Sequence, residues 1–248
     1  MKSENYMTLQ KHLEELRVRL IFCVMFFFVV FCLCYFFSAE IYNFLLQPFL
    51  ESSLDHENRR LIYTSPTEAF TTYLKLSFYS SFTFCFPIFA SQFYFFLAPG
   101  LYKNEKKNLL IILFSSSFLF LFGALIAYYF ILPIAIEFFS SFEIQGSAAS
   151  LPIQLEARIS EYLNLVSDLI FGFGVAFQLP ILLLFLIRVG LLSINDLKKK
   201  RRYFIVAIFI IAAVLTPPDV LSQTSLAIPM IILFEIVILV GKNFNNKK

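Results

Sequence analysis

Two short stretches place carboxylates beside the apolar part of this chain. The segment "KHLEELRVRL", from Lys11 to Leu20, carries Glu14, Glu15 and two arginines immediately ahead of a run of apolar residues. In "APGLYKNEKK", Glu105 follows a Pro-Gly pair that is typical of a turn. Two carboxylates on one surface could hold a cationic ligand, and arginine suits them because its planar fork bonds carboxylate oxygens in pairs. From the residues alone, a small cation, a partner helix or a peptide would all satisfy these acids.

The acids of the first stretch also have a simpler interpretation. On a helix, Glu15 and Arg19 are four residues apart and Glu14 and Arg17 are three apart, so each pair could stabilise the helix by about 0.2–0.5 kcal/mol. The leucines of this stretch recur at helical spacing and would form the opposite, apolar face. Such an amphipathic segment would lie in the membrane interface.

The composition indicates a membrane protein. Hydrophobic residues make up 59% of the chain and charged residues only 15%. Backbone polar groups in hydrocarbon must be satisfied within helices or a closed barrel, and the apolar runs lack the alternation of barrel strands. The sequence therefore predicts an all-α integral membrane protein with a single domain over residues 1–248 and six spans, the last two short. The spans lie at about residues 20–37, 73–97, 109–130, 165–187, 203–215 and 225–240.

Basic residues are distributed unevenly about these spans. With both termini on the cytoplasmic side, 16 of the 20 lysines and arginines lie in or next to cytoplasmic segments, as the positive-inside rule requires. The other four are Arg59, Arg60, Lys75 and Arg158. This topology accounts for the net charge of +3 without a nucleic-acid partner. Pairing among neighbours does not explain why Glu15 and Glu105 lie at a surface that otherwise favours cations.

Residue types that catalysis or metal binding would need are scarce. The two histidines, His12 and His56, lie outside the predicted spans, and the four cysteines have no zinc-ligand spacing. The chain contains no G-x-S-x-G, H-E-x-x-H or phosphate-binding glycine motif. We therefore expect no enzyme activity, no metal site and no cofactor.

A polar side chain inside a span is a functional candidate because its burial in hydrocarbon is costly. Gln178, in "FGFGVAFQLP", lies within the fourth span, where it must either hydrogen-bond to a neighbouring helix or line a wet cavity. Prolines should bend or interrupt the spans that contain them. These prolines are Pro87, Pro133, Pro180 and Pro229.

The motif "SPTEAF" predicts the start of the second spanning helix. Ser65 would be its N-cap, Pro66 its first residue, and Glu68 the partner in a capping box. The helix would then begin outside the hydrocarbon, in the first of two sizeable outer loops. These loops could form a cap over the outer face.

Longer motifs give the chain a family resemblance. The segments "HLEELRVRL", "SPTEAF", "FPIFASQFYFFLAPGLYKNEKK", "FGFGVAFQLP" and "LTPPDVLSQTSLAIPMIILFE" stand in the order and spacing of the TatC family, the multispanning subunit of the twin-arginine protein translocase. The resemblance covers about residues 8–240. It implies a concave cup of six helices that acts as a receptor and assembly platform. It also implies export of folded proteins, driven by the proton-motive force without nucleotide hydrolysis.

The resemblance also implies a signal-peptide site on the cytoplasmic face. Glu15 and Glu105 match acids that recognise the twin-arginine motif of folded precursors. Arg17 belongs to the same surface, and Phe96 would provide apolar contact beside it.

Three further positions follow from the resemblance. Pro48 and Asp219 match outer-face positions that organise the cap and its partners. Gln178 departs from the family pattern, which usually has a glutamate there; glutamine can hydrogen-bond but cannot titrate, so a proton-linked role at this position is unsupported. The implied partners are single-span TatA- or TatB-type proteins, bound partly along the fifth span, together with membrane lipid and further copies of the chain.

Two other classes of protein fit part of the pattern. A secondary transporter for a small cation could use the same acids, but the sequence lacks the repeats and paired broken helices of such proteins. A structural membrane subunit would use its charged faces only for pairing, and its binding would not depend on arginine. The 34 phenylalanines and absence of tryptophan suggest an A/T-rich genome. We expect a bacterial inner membrane, with the mitochondrial inner membrane as the alternative.

Overall fold

The computed structural model describes residues 9–51, 61–97, 103–143, 156–188, 191–216 and 219–245. Ten α-helices and one π-helix make up most of these ranges. In chain order they are α1 (Leu9–Phe36), α2 (Ser38–Glu51), α3 (Glu68–Leu97), α4 (Lys103–Ile126), the π-helix (Ala127–Ile131), α5 (Leu132–Ser140), α6 (Ile159–Ala176), α7 (Leu179–Arg188), α8 (Ile194–Lys199), α9 (Arg201–Leu215) and α10 (Val220–Asn245). The predicted all-α class is confirmed.

Four helical segments are long and apolar enough to cross a membrane. They are Gln10–Phe36, Leu113–Ser140, Ile159–Ile187 and Val220–Leu239, and they correspond to the first, third, fourth and sixth predicted spans. The second predicted span lies in α3, which has 30 residues but carries serine, threonine and tyrosine through its middle. The fifth is α9, whose 15 residues extend only about 22 Å, less than a hydrocarbon core of about 30 Å.

The last helix is longer than predicted. It begins at Val220 rather than near residue 225 and continues to Asn245, so only α9 of the last two helices is short. Its polar first turn is helical because the Asp219 carboxylate caps it, with Oδ1 accepting from the backbone N–H of Ser222 at 2.6 Å.

The span prolines act in two ways. Helices α3 and α10 continue through Pro87 and Pro229. The π-helix Ala127–Ile131 immediately precedes the proline-containing first turn of α5, at Pro133. A turn separates α6 from α7 just before Pro180. Since proline lacks an N–H and clashes with the carbonyl four residues earlier, interruptions at these two places are expected.

Helices α4 and α6 approach each other closely at the centre of the bundle. A Cβ atom added at Gly123 would lie 2.8 Å from the carbonyl oxygen of Phe173, and one at Gly174 would lie 2.8 Å from the Phe120 ring. Phe120 also stacks on Phe86 of α3, with ring centroids 3.9 Å apart. The two glycines therefore permit the close helix packing that membrane bundles use.

Candidate functional site

Helix α1 packs along α3. The His12 ring stacks on Phe96 with centroids 4.2 Å apart, and further along α1 the ring of Phe27 meets Phe78 at 5.3 Å. As α1 advances, its contacts move to earlier residues of α3, so the two helices are antiparallel. The start of α1 and the end of α3 therefore form one end of the bundle.

Glu15 lies at this end, one turn after His12, with only 21% of its side chain exposed. Its Oε1 accepts hydrogen bonds from Arg19, at 3.1 Å from Nε and at closer range from Nη2. Nη1 of Arg19 lies 3.5 Å from Oε1 of Gln92, and its guanidinium carbon lies 5.7 Å from the centroid of the Phe95 ring. The predicted pairing of Glu15 with Arg19 is confirmed, and it holds the carboxylate against α3.

The second oxygen of this carboxylate is not used in the same way. Oε2 of Glu15 is buried and has no hydrogen-bond partner among the residues that the structure describes. A buried acceptor without a donor costs free energy. A ligand that donates an N–H to this oxygen would therefore bind favourably.

The other three predicted residues of the signal-peptide surface differ in where they lie relative to Glu15. Arg17 is exposed and lies two positions from Glu15, so it projects from a different side of α1. Phe96 is partly buried against His12. Glu105 is the third residue of α4, and its side chain lies outside the described residues. The structure thus brings Glu15 and Phe96 to the same end of the α1–α3 pair.

Three side chains at this end were not among the predicted site residues: His12, Arg19 and Gln92. The i,i+4 spacing with Glu15 is a local signal that identifies Arg19. The contacts of His12 and Gln92 depend on how α1 packs on α3, which no local pattern shows.

Gln178 joins two parts of the bundle. It lies in the turn between α6 and α7, where its Oε1 accepts from the Ser116 hydroxyl at 2.6 Å and its Nε2 donates to the Ser116 carbonyl at 3.1 Å. Of the two interpretations of Gln178, the hydrogen bond to a neighbouring helix is confirmed. An amide can make both bonds, whereas an ionised carboxylate can only accept.

Pro48 lies in α2, which follows the end of α1 opposite to Glu15. Two tyrosines donate hydrogen bonds to backbone carbonyl groups of this helix. Because Pro48 has no N–H, the carbonyl of Phe44, four residues earlier, lacks its helical donor. The Tyr128 hydroxyl of the π-helix donates to this carbonyl at 2.6 Å. The Tyr162 hydroxyl of α6 donates to the adjacent carbonyl of Leu45 at 2.8 Å. Pro48 thus leaves free one of the two carbonyl groups through which tyrosines attach α2 to the rest of the bundle.

The loops that precede α3 and α6 are also joined. Ile62 forms an isolated parallel bridge with Arg158. The Glu68 carboxylate accepts from the Ser160 hydroxyl at 2.6 Å and from the Thr64 backbone N–H at 2.8 Å. These hydrogen bonds, that of Ser160 first, lower the pKa of Glu68 to about 2. Glu68 therefore connects the loop that precedes α3 to the first turn of α6, which is distant in sequence.

The predicted capping box at the start of α3 is wrong in its partners. The helix begins at Glu68 rather than at Pro66, and Ser65 hydrogen-bonds to the Thr67 hydroxyl. Glu68 accepts from the backbone N–H of Thr64, one residue before the predicted cap, and its other carboxylate oxygen accepts from Ser160.

Two cavities with both polar and apolar residues in their walls open beside α6. One, of about 590 Å³, lies against α9 and is lined by Asp168 and Thr216 among others. Its neighbour, of about 410 Å³, lies against α3 and is lined by Lys75, Tyr79 and Asp168. The Tyr79 hydroxyl donates to Oδ1 of Asp168 at 3.1 Å, so the acid has a partner within the bundle.

The fold and these sites define a class of protein, an all-α integral membrane protein with polar sites at the ends of its helix bundle. Among the described residues, no cluster of side chains could hold a metal ion. Residues 11–229 match the family described as Sec-independent protein translocase protein (TatC). The chain belongs to the TatC family, a component of the Tat translocase and not an enzyme. The resemblance inferred from the motifs is confirmed.

Individual relatives agree with this assignment. The chain is 49% identical over 231 residues to the Sec-independent protein translocase protein TatC of Rickettsia prowazekii, covering 93% of this chain and 91% of that protein. It is 36% identical over 253 residues to the protein of the same name from Escherichia coli, covering 100% and 95%. A crystal structure of the twin-arginine translocase receptor TatC in DDM matches with a TM-score of 0.78 and 34% identity, covering 93% and 99%.

Proposed function

We propose that this chain is the receptor and core subunit of a Sec-independent translocase, binding the twin-arginine signal peptides of folded precursors. The observation that carries this proposal is the Glu15 carboxylate. One of its oxygens is bound by Arg19, and the other is buried without a partner among the described residues. A guanidinium is the donor best suited to such an oxygen, because it is always charged and offers several N–H groups in a plane.

A pair of arginines needs a second acid, and Glu105 is well placed in the chain to supply it. Lys103 follows Leu97 by six residues, which can span at most about 21 Å. The start of α4 therefore cannot be far from the end of α3, where Phe96 lies. One arginine would bind Glu15 and the other Glu105, while Phe96 would contact the peptide beside Glu15. Arg17, which projects from a different side of α1, would lie next to this surface.

The proposed topology has six crossings and both termini on the cytoplasmic side. The distribution of lysine and arginine supports it. The surface around Glu15 then faces the cytoplasm, where precursors are made. The regions around Pro48 and Asp219 face the outside, where α2 and the joined loops form the cap.

The proposed partners are single-span TatA- or TatB-type helices, with several copies of this chain in a receptor complex. The cavity between α6 and α9 supports a partner site along the fifth span, because polar side chains such as Asn164 and Asp168 form part of its wall beside a short helix. Transport would use the proton-motive force. The proposed location is a bacterial inner membrane, with the mitochondrial inner membrane as the alternative.

Complementation tests this function. Bacteria that lack their own TatC would receive this chain, the single-span partners encoded with it and a folded reporter behind a twin-arginine signal peptide. Export that stops with a Lys-Lys signal and with an uncoupler supports the proposal. Export of both signals alike, or none with partners present and the protein in the membrane, contradicts it.

A further inference from the structure

A third cavity lies at the opposite end of α1 from Glu15. It has a volume of about 570 Å³ and lies between α2, α3, α4 and α6. Most of its lining is apolar, including Ile41, Leu45, Leu76, Ala124 and Ile170. The proposed signal-peptide surface does not include it.

The mouth of this cavity opens toward the surrounding membrane. Four of its lining residues are large apolar side chains that are also exposed: Phe44 at 47%, Phe84 at 63%, Leu121 at 41% and Leu125 at 52%. Leu121 and Leu125 belong to the apolar span Leu113–Ser140. Exposed apolar side chains on a spanning helix face lipid, so we expect hydrocarbon at the part of the entrance that Leu121 and Leu125 form.

Three of the hydroxyl groups in the wall, those of Tyr79, Thr83 and Tyr128, are hydrogen-bonded within the bundle. The Thr83 hydroxyl donates to the Tyr79 carbonyl at 3.0 Å, and the Tyr79 hydroxyl donates to Asp168. The Tyr128 hydroxyl is used by the Phe44 carbonyl. The wall at these positions therefore favours a hydrocarbon chain over a polar peptide segment.

The size of the cavity separates two possible occupants. A helix about 10 Å across with a pitch of about 5.4 Å fills roughly 420 Å³ per turn, so the cavity of about 570 Å³ holds little more than one turn. Water occupies about 30 Å³ per molecule, and a methylene group is of similar size, so the same space accommodates one lipid acyl chain.

An acid at the rim adds a preference for the headgroup. Glu40 lines the cavity, is exposed at the start of α2, and forms no salt bridge with a residue that the structure describes. A carboxylate at the edge of the hydrocarbon would attract an ammonium group and repel an anionic headgroup.

We propose that this cavity binds one acyl chain of a phospholipid whose headgroup ammonium pairs with Glu40. The ligand class is an aminophospholipid such as phosphatidylethanolamine. The lipid lies beneath α2, beside the hydrogen bond between Tyr128 and Phe44, and so fills the space between the cap helix and the spanning helices.

The chain contains no tryptophan, so a single introduced one reports on the site. The full-length Phe84→Trp variant, in vesicles containing phosphatidylethanolamine and phosphatidylglycerol, would be tested with either lipid brominated on its acyl chains. The matched control is Phe122→Trp, at the depth of Leu121 on the same helix and absent from the cavity lining. We expect at least two-fold stronger quenching of Phe84→Trp by brominated phosphatidylethanolamine than by brominated phosphatidylglycerol, and equal quenching of the control.

Two substitutions in the Phe84→Trp background locate the effect. Glu40→Gln should abolish the headgroup preference, whereas Glu137→Gln, an exposed acid outside the cavity lining, should preserve it. Ala124→Leu should reduce the difference in quenching between the two brominated lipids, because the larger side chain fills part of the cavity. If the two brominated lipids quench Phe84→Trp equally, as they should the control, the aminophospholipid site is overturned. A preference that survives Glu40→Gln would overturn the ammonium pairing.

Discussion

Tyr128 stacks its ring on Phe44 with centroids 4.6 Å apart and donates its hydroxyl proton to the carbonyl oxygen of the same residue at 2.6 Å. The carbonyl is available because Pro48 has no N–H to offer it. Pro48 therefore removes one hydrogen bond within α2 and leaves the Phe44 carbonyl free to accept from Tyr128, which helps to attach α2 to the bundle. This gives a physical reason for a proline at this position of the cap.

Removing the Tyr128 hydroxyl tests this attachment. Tyr128→Phe keeps the ring but leaves the Phe44 carbonyl without that donor, so the free energy of unfolding should fall by about 1–3 kcal/mol. Unfolding of the purified protein in detergent measures the change. Tyr129→Phe, at the exposed neighbouring ring, is the control and should change it by less than about 0.5 kcal/mol.

A double mutant shows whether the cost of losing the Tyr128 hydroxyl depends on Pro48. Pro48→Ala restores an N–H that can bind the Phe44 carbonyl. Tyr128→Phe should then cost about 1 kcal/mol less in the Pro48→Ala background than in the parent. An equal cost in both backgrounds would contradict the link between Pro48 and Tyr128.

The loop connection through Glu68 should depend on pH. Its pKa is about 2 in the folded protein against an ordinary 4.5, so its stabilising effect is complete above about 4.5 and is lost as the pH falls toward 2. Glu68→Gln should show a smaller acid-induced fall in unfolding temperature between pH 5 and pH 2.5. Glu161→Gln, in an exposed pair with Arg158 nearby, should keep the parent's acid dependence. Identical acid profiles for parent and Glu68→Gln would refute this role.

Replacing Gln178 by glutamate should remove one of its two hydrogen bonds. In Gln178→Glu an ionised carboxylate would still accept from the Ser116 hydroxyl but could not donate to the Ser116 carbonyl. We expect a loss of about 1–3 kcal/mol in the free energy of unfolding at neutral pH, measured in detergent. The loss should shrink at low pH, where a protonated carboxyl can donate. A stability as high as the parent's at neutral pH would show that the bond to the carbonyl is unimportant.

Asp219 should act chiefly as a helix cap. Asp219→Ala removes the acceptor for the Ser222 N–H and should cost about 0.5–2 kcal/mol, whereas Asp219→Asn retains an oxygen acceptor and should cost little. If export by the complementing chain is lost equally in both variants while stability differs, Asp219 has a role besides capping.

Sequence patterns located the elements better than they located the contacts between them. The four long apolar helical segments were predictable because hydrocarbon thickness fixes the length of a spanning helix. The pair of Glu15 and Arg19 was predictable because i,i+4 neighbours lie on one helix face. The start of α10 was missed because its polar first turn resembles a loop until the cap at Asp219 is known.

Contacts between distant segments could not be predicted in this way. Glu68 and Ser160 are 92 positions apart, and Tyr162 and Leu45 are 117 apart. Each contact depends on how helices and loops pack in three dimensions. The same holds for the stacking of His12 on Phe96, which places an aromatic surface beside the Glu15 site.

The most direct test of the receptor proposal is binding of a labelled twin-arginine signal peptide to the purified chain in nanodiscs. The comparisons are a Lys-Lys peptide and the variants Glu15→Gln and Glu105→Gln, with Glu14→Gln, an exposed neighbouring acid, as the control. We predict that the parent and Glu14→Gln bind the Arg-Arg peptide at least ten-fold more tightly than the Lys-Lys peptide, and that either site variant abolishes this preference. Equal affinity of the parent for both peptides, or a preference that survives Glu15→Gln, would contradict the assignment of Glu15 as the arginine-binding carboxylate.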